Sequence, residues 1–158
     1  MSKIPLTIVG AEQLRAELHQ LKTIVRPSVI AAIAEARAHG DLSENAEYDA
    51  AKHKQSFVEG RIAEIESKLG NAQIINPTSL DTDGRCVFGA TVELEDVSSG
   101  AMVTYQIVGE DEAGIKLGKI SISSPIARAL IGKYAGDVAY VQAPGGVHEY
   151  EILEVKYI

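Results

Sequence analysis

Two apolar stripes of helical spacing, on runs joined by a link of only six residues, constrain this chain more than any other feature. From Ala11 onward Leu14, Leu18, Leu21, Val25, Val29, Ile33 and Ala36 recur every three or four residues, which places them on one face of an amphipathic helix. The second run, Tyr48, Ala51, Gln55, Val58, Ile62, Ile65 and Leu69, alternates threes and fours as a heptad seam with one polar member. The link Gly40-Asp41-Leu42-Ser43-Glu44-Asn45 is too short for anything but an antiparallel return. The first half is therefore predicted to be a helical hairpin, its first arm about 30 residues and about 45 Å long. An arm of that length exceeds what packing on a compact body requires, so the hairpin is expected to project. Thr7 is a candidate cap, and Gly70-Asn71 a stop signal. Pro27 lacks an N–H and crowds the preceding turn, so a kink or short break is expected near Arg26.

After Asn76-Pro77 the pattern changes to β-rich runs at Arg85–Val97, Ala101–Val108, Asp137–Gln142 and Val147–Val155, the last two joined by a Pro144-Gly145-Gly146 turn. Between them Ser124-Pro125 opens a short helix, with serine as cap and proline at the first helical position, closed by Gly132. The fold class is thus α+β in two domains, residues 1–76 as an antiparallel helical hairpin and residues 77–158 as a small β-sheet domain with one short helix. Charge divides along the same line: nine basic against ten acidic residues up to Asn76, six against twelve after it, giving −1 and −6.

That balance argues against wrapping of duplex DNA, which requires clustered positive charge. No apolar run reaches the roughly 20 residues needed to cross a bilayer, and the first residues lack the apolar core of a signal peptide. A cytoplasmic protein with no membrane partner is expected. Cys86 is the single cysteine, which excludes an intramolecular disulfide and favours a small buried residue. The four histidines are scattered without metal-ligand spacing.

Asp41, Glu44, Glu47 and Asp49 crowd the turn and the start of the second arm. Two readings stand side by side. In one, Asp41 and Glu44 form a capping box, with Glu47 and Asp49 adding dipole stabilisation. In the other, Asp41 and Glu44 together hold a divalent cation and orient water. Two carboxylates retain Mg²⁺ only weakly, because that ion keeps most of its water and relies on substrate phosphates, so such a tip works only beside another metal and a phosphodiester.

The segments Ile30–Arg37, Gly40-Asp41-Leu42-Ser43-Glu44-Asn45-Ala46-Glu47-Tyr48 and Glu59-Gly60-Arg61-Ile62 resemble the signature of the Gre family of bacterial transcript-cleavage factors. Further matches run through Thr7–Leu18, Phe88–Val92, Ile107-Val108-Gly109, Ser123–Arg128 and Pro144-Gly145-Gly146, nearly the whole chain in order. The resemblance implies a hairpin that enters the secondary channel of bacterial RNA polymerase, where Asp41 and Glu44 match the family's two tip acids. They would stabilise a second Mg²⁺ and the attacking water while the polymerase supplies the catalytic site. The chain would then be no enzyme by itself, with no tightly bound cofactor, and would promote cleavage of the extruded 3′ end of nascent RNA.

By the same resemblance Arg37 and Lys52, on opposite arms behind the tip, match a basic patch for that RNA. Ordinary solvated helix charges are the alternative for both. Tyr48 belongs to the motif, yet its seam position equally suits packing between the arms. The second domain resembles the family's FKBP-like domain, which docks on the polymerase β-prime subunit at the channel mouth through a segment matched by Ser124 and Pro125. Asp111 and Glu112 are expected near that surface. The near-neutral hairpin fits the branch of the family with the smaller basic patch. Prolyl isomerisation is disfavoured, since the second half holds no tryptophan and one phenylalanine, Phe88. Inhibition of transcription, seen in relatives that lack the tip acids, is disfavoured because both are present. Each helix finds its partner within the chain, so a monomer is the simpler expectation.

Overall fold

The computed structural model describes residues 3–40 and 45–158. The chain is α+β and divides into two compact units, Ala11–Ala72 and Lys3–Gly10 with Gln73–Ile158. This partition differs from a cut after Asn76, because the first residues pair outside the hairpin. Strand β1 (Ile4–Thr7) forms a two-stranded sheet with β2 (Ala72–Ile75). Four-residue strands, one carrying Pro5, have no alternation long enough to read, so both escape sequence analysis.

In the hairpin unit the first arm runs as α1 (Ile8–Gln20), a π-helical turn (Leu21–Val25) and α2 (Arg26–Ala38). Thr7 caps α1, its Oγ1 accepting the Gly10 N–H at 2.9 Å. The expected break is the π turn: Gln20, Val25 and Arg26 all keep right-handed helical angles, and the Arg26 N–H reaches back to the Leu21 carbonyl. Pro27, at the start of α2, has no N–H for the carbonyl four residues earlier. A wider turn just before it takes up that deficit and lets the helix continue.

The second arm is α3 (Ala46–Gly70). Val29, Ile33, Ala51, Val58 and Ile62 form the buried seam, with Leu18, Leu21, Val25 and Tyr48 packed against it. Each fully buried Val or Ile contributes about 1.5–3 kcal/mol before chain entropy is counted. Charges on the rim fix the register. Arg61 grips Glu17 with two parallel bonds of 2.7 and 2.8 Å, Arg26 grips Glu59 with two of 2.8 Å, and Lys22 meets Glu66 at 3.0 Å. Exposed pairs add little energy each, but a fork on a carboxylate is geometrically selective, and a slip of one turn would break all three.

In the second unit five strands are ordered β5-β4-β3-β7-β6: β3 (Thr91–Asp96), β4 (Met102–Val108), β5 (Lys119–Ser121), β6 (Val138–Ala143) and β7 (Gly146–Lys156). All neighbours are antiparallel except β4 and β5. A bulge lets Glu93 face Glu154 while Leu94 faces Ile152. Helix α4 (Pro125–Leu130) brings Ala127 and Leu130 onto a core of Cys86, Phe88, Val92, Leu94, Ile107, Ile120 and Ile152. Cys86 is fully buried, as its composition suggested, and burial pushes its thiol up to about 11. Among the described residues no helix is long and apolar enough to cross a membrane.

Candidate functional site

The turn between the arms is framed at both ends by residues suited to closing it. On the α2 side the His39 N–H reaches the Ala36 carbonyl at 3.2 Å and the Gly40 N–H the Arg37 carbonyl at 3.3 Å. Gly40 then adopts a φ of +104°, a conformation that a Cβ penalises. On the α3 side Asn45 is the cap. Its Oδ1 accepts the Tyr48 N–H at 3.1 Å, and its Nδ2 donates across the hairpin to the Ala36 carbonyl at 2.7 Å. One side chain thus starts the second arm and ties it to the end of the first.

Asp41 and Glu44 fall within residues 41–44, outside the described residues. The frame nevertheless bears on the capping-box reading. Asn45 holds the cap position of α3, and the acids of its first turn are Glu47 and Asp49. Glu47 also reaches back to the first arm, its Oε2 3.1 Å from His39 Nδ1. The α3 start is therefore satisfied by Asn45 with Glu47 and Asp49 beside it, and the capping-box reading of Asp41 and Glu44 lies outside the described residues. No sequence rule ranks Asn45 over Asp41, because both residue types cap well.

Arg37 is exposed in the last turn of α2, with no ion pair among the described residues. Lys52 is exposed on α3, its Nζ 3.0 Å from Gln55 Oε1. Tyr48 is half-buried against the seam and yet lines an open groove of about 440 Å³ with Asp49, Lys52, His53 and Ser56. The groove brings Tyr48 and Lys52 onto one face, a ring beside a cation. Among the described residues no group of three or more His, Cys, Asp and Glu is placed to hold a metal ion.

In the sheet unit Ser124 caps α4, its Oγ accepting the Ala127 N–H at 3.2 Å and donating to the Ser121 carbonyl at 2.7 Å. Its hydroxyl is committed internally, whereas Pro125 is exposed at the helix start. Asp111 is exposed and Glu112 is not: the Glu112 side chain is only 5% exposed, faces Lys119 at 3.4 Å and accepts a hydrogen bond from Thr7 Oγ1. Beside Ser124 lies an apolar groove of about 320 Å³ walled by Ala113, Ile115, Ile120 and Ile126. Ile115 and the neighbouring Leu117 are among the most exposed aliphatic side chains. The sequence offers no signal for that groove, because its walls come from a 3₁₀ turn, β5 and α4.

The chain matches two family models, one described as Transcription elongation factor, N-terminal, over residues 4–74, and one as Transcription elongation factor, GreA/GreB, C-term, over residues 81–157. Among curated relatives it is 68% identical to Transcription elongation factor GreA of Methylococcus capsulatus and 69% identical to that of Ralstonia nicotianae, in both cases over the whole of each chain. Among solved structures it is similar to GreA factor homolog 1 of Thermus thermophilus, at 29% identity over 97% of this chain and 98% of that one, with a TM-score of 0.45.

Proposed function

Because the chain belongs to the GreA/GreB family of transcription elongation factors, we propose that it enters the secondary channel of bacterial RNA polymerase and stimulates cleavage of backtracked nascent RNA there. The observation that carries this reading is the division of labour at the hairpin turn. Asn45 caps α3 and ties the arms, so Asp41 and Glu44 are not needed to start the helix.

Carboxylate oxygens are hard donors suited to Mg²⁺, and Asp41 and Glu44 are the residues that would hold such an ion jointly with the polymerase. When bound, it would supply charge stabilisation and a more acidic water for phosphodiester hydrolysis. The chain's own part is to hold a water through the tip carboxylates and to steady the RNA. Arg37 and Lys52 offer cations to its phosphates, and the half-buried Tyr48 in the groove beside Lys52 offers an aromatic ring for a base to stack on. The polymerase keeps the catalytic centre, so the factor acts as a cofactor of its intrinsic nuclease activity. Docking on the β-prime subunit is assigned to Pro125, Asp111 and the Ile115 groove beside them, with Ser124 shaping the helix start.

The test is release of end-labelled RNA from a backtracked bacterial polymerase complex, with Asp41→Asn and Glu44→Gln compared at matched occupancy. Wild type is expected to release a short 3′ fragment rapidly, and each variant to lose on the order of a hundredfold in rate, about 2.7 kcal/mol, with its thermal midpoint unchanged. Full activity in both variants, or no release by a docked wild type, overturns the proposal.

A further inference from the structure

Within the segment Glu59-Gly60-Arg61-Ile62 every residue but one has a task in the hairpin. Glu59 is held by Arg26, Arg61 by Glu17, and Ile62 is buried in the seam. Gly60 lies inside α3 with nothing within 4 Å of the place a Cβ would take, so no packing contact requires the missing side chain. A glycine in a helix interior loosens it, shifting the balance of closed to open turns about fivefold relative to alanine.

The first arm is weakened at the same level. The Arg26–Glu59 fork joins the residue after the π turn to the residue before Gly60, and the turn lies against α3. No residue of the π turn is buried, nor is any other between Leu14 and Val29. The Thr23 hydroxyl donates to the His19 carbonyl at 2.7 Å, a back-bond that competes with the helix ladder and bends helices. Pro27 offers no N–H at all. Sparse burial and interrupted backbone bonding are the marks of a segment that opens before its neighbours. On either side the arms are tied to each other. Glu17 and Lys22 hold the near side through Arg61 and Glu66, and the far side is held by the Arg26–Glu59 fork and by Val29, Ile33, Ala51 and Val58 of the seam.

We infer that Leu21–Val25 and Gly60 form one hinge across both arms, about which α2 with residues 46–59 swings as a body against residues 11–20 with residues 61–70. A soft point on one arm alone would be splinted by a rigid helix on the other; here the two coincide. At about 1.5 Å per residue α2 runs about 18 Å beyond Arg26, so a bend of about 10° moves its far end by about 3 Å without melting either arm. Such a hinge is a property of the hairpin by itself and stands whether or not the tip promotes RNA cleavage.

The test compares the full wild-type chain with Gly60→Ala and with the double variant Pro27→Ala, Gly60→Ala. Amide exchange is followed along both arms, and the distance distribution is measured between nitroxides on Gln13→Cys and Glu35→Cys, exposed positions on either side of the π turn and about 33 Å apart along the helix. Cys86 is buried and stays unlabelled. In the wild type, exchange is expected about tenfold faster at residues 21–26 and 58–62 than in the seam on either side, with a broad nitroxide distribution. Gly60→Ala is expected to slow exchange at residues 58–62 about fivefold, and the double variant to narrow the distribution. Uniform exchange along both arms overturns the hinge, as does a distribution equally wide in wild type and double variant. Fast exchange at residues 21–26 alone overturns it too, since it would leave a bulge in one arm splinted by the other. If the double variant does not fold, Gly60→Ala, whose Cβ meets nothing, decides by the same two measurements.

Discussion

Replacing Asn45 separates its two jobs. Aspartate and serine keep an acceptor for the Tyr48 N–H, and as helix caps they rank with asparagine. Neither keeps the Nδ2 donor that meets the Ala36 carbonyl at 2.7 Å. A lost neutral hydrogen bond of this kind costs about 1 kcal/mol, which is the whole expected cost of Asn45→Ser. Asn45→Asp adds a carboxylate facing the negative end of α2, for about 0.3–1 kcal/mol more. Asn45→Ala loses cap and tie together, about 2 kcal/mol. Urea unfolding followed by circular dichroism at 222 nm reads the hairpin, which carries most of the helix. With a slope of about 1–3 kcal/mol per molar, each kcal/mol moves the midpoint by about 0.3–1 M. A cap acting alone predicts Ser and Asp equal to wild type and a loss only for Ala. Serine and aspartate variants within about 0.3 kcal/mol of wild type would therefore refute the cross-arm tie.

Two further outcomes follow from the electrostatics. The Arg26 guanidinium, bonded to Glu59, holds that carboxyl below the ordinary glutamate range, so its contribution is present above the unfolded-state pKa and is lost as pH falls through the lower folded value. Glu59→Gln should flatten the acid limb of hairpin stability below about pH 4.5, measured as denaturant midpoint against pH; an unchanged limb would show that the pair does not hold the arms. Burial keeps Cys86 protonated at neutral pH, so a thiol reagent at pH 8 should label it only in denaturant, and rapid labelling of the native chain would contradict the packed sheet core.

What the sequence made legible was whatever repeats or sits next to its own partner. The seam of Ala51, Val58 and Ile65 repeats every seven residues, and all three are buried. Ser124 and Thr7 cap helices that begin one residue later. What it hid was either short or remote. Strand β5 has three residues and pairs in parallel with β4, too little for any alternation to show. The Thr7–Glu112 bond joins residues 105 apart, and no local pattern marks a carboxylate for such a task. At the tip the α3 cap is Asn45, whose amide accepts from one arm while donating to the other, and no sequence pattern marks that second bond.

The π turn has a consequence for phase. Along the first arm the seam steps from Leu21 to Val25, Val29 and Ile33 are three consecutive fours, and at 100° per residue each step of four overshoots a full rotation by about 40°. A straight α-helix would carry that stripe steadily around the cylinder. Leu21 and Val25 nonetheless stay against the other arm, because five residues wound with more residues per turn set the angle back. Leu21–Val25 is thus a splice between two helical phases, and loss of one residue inside it would rotate everything on the tip side by roughly a quarter turn, presenting the same side chains to the wrong neighbours.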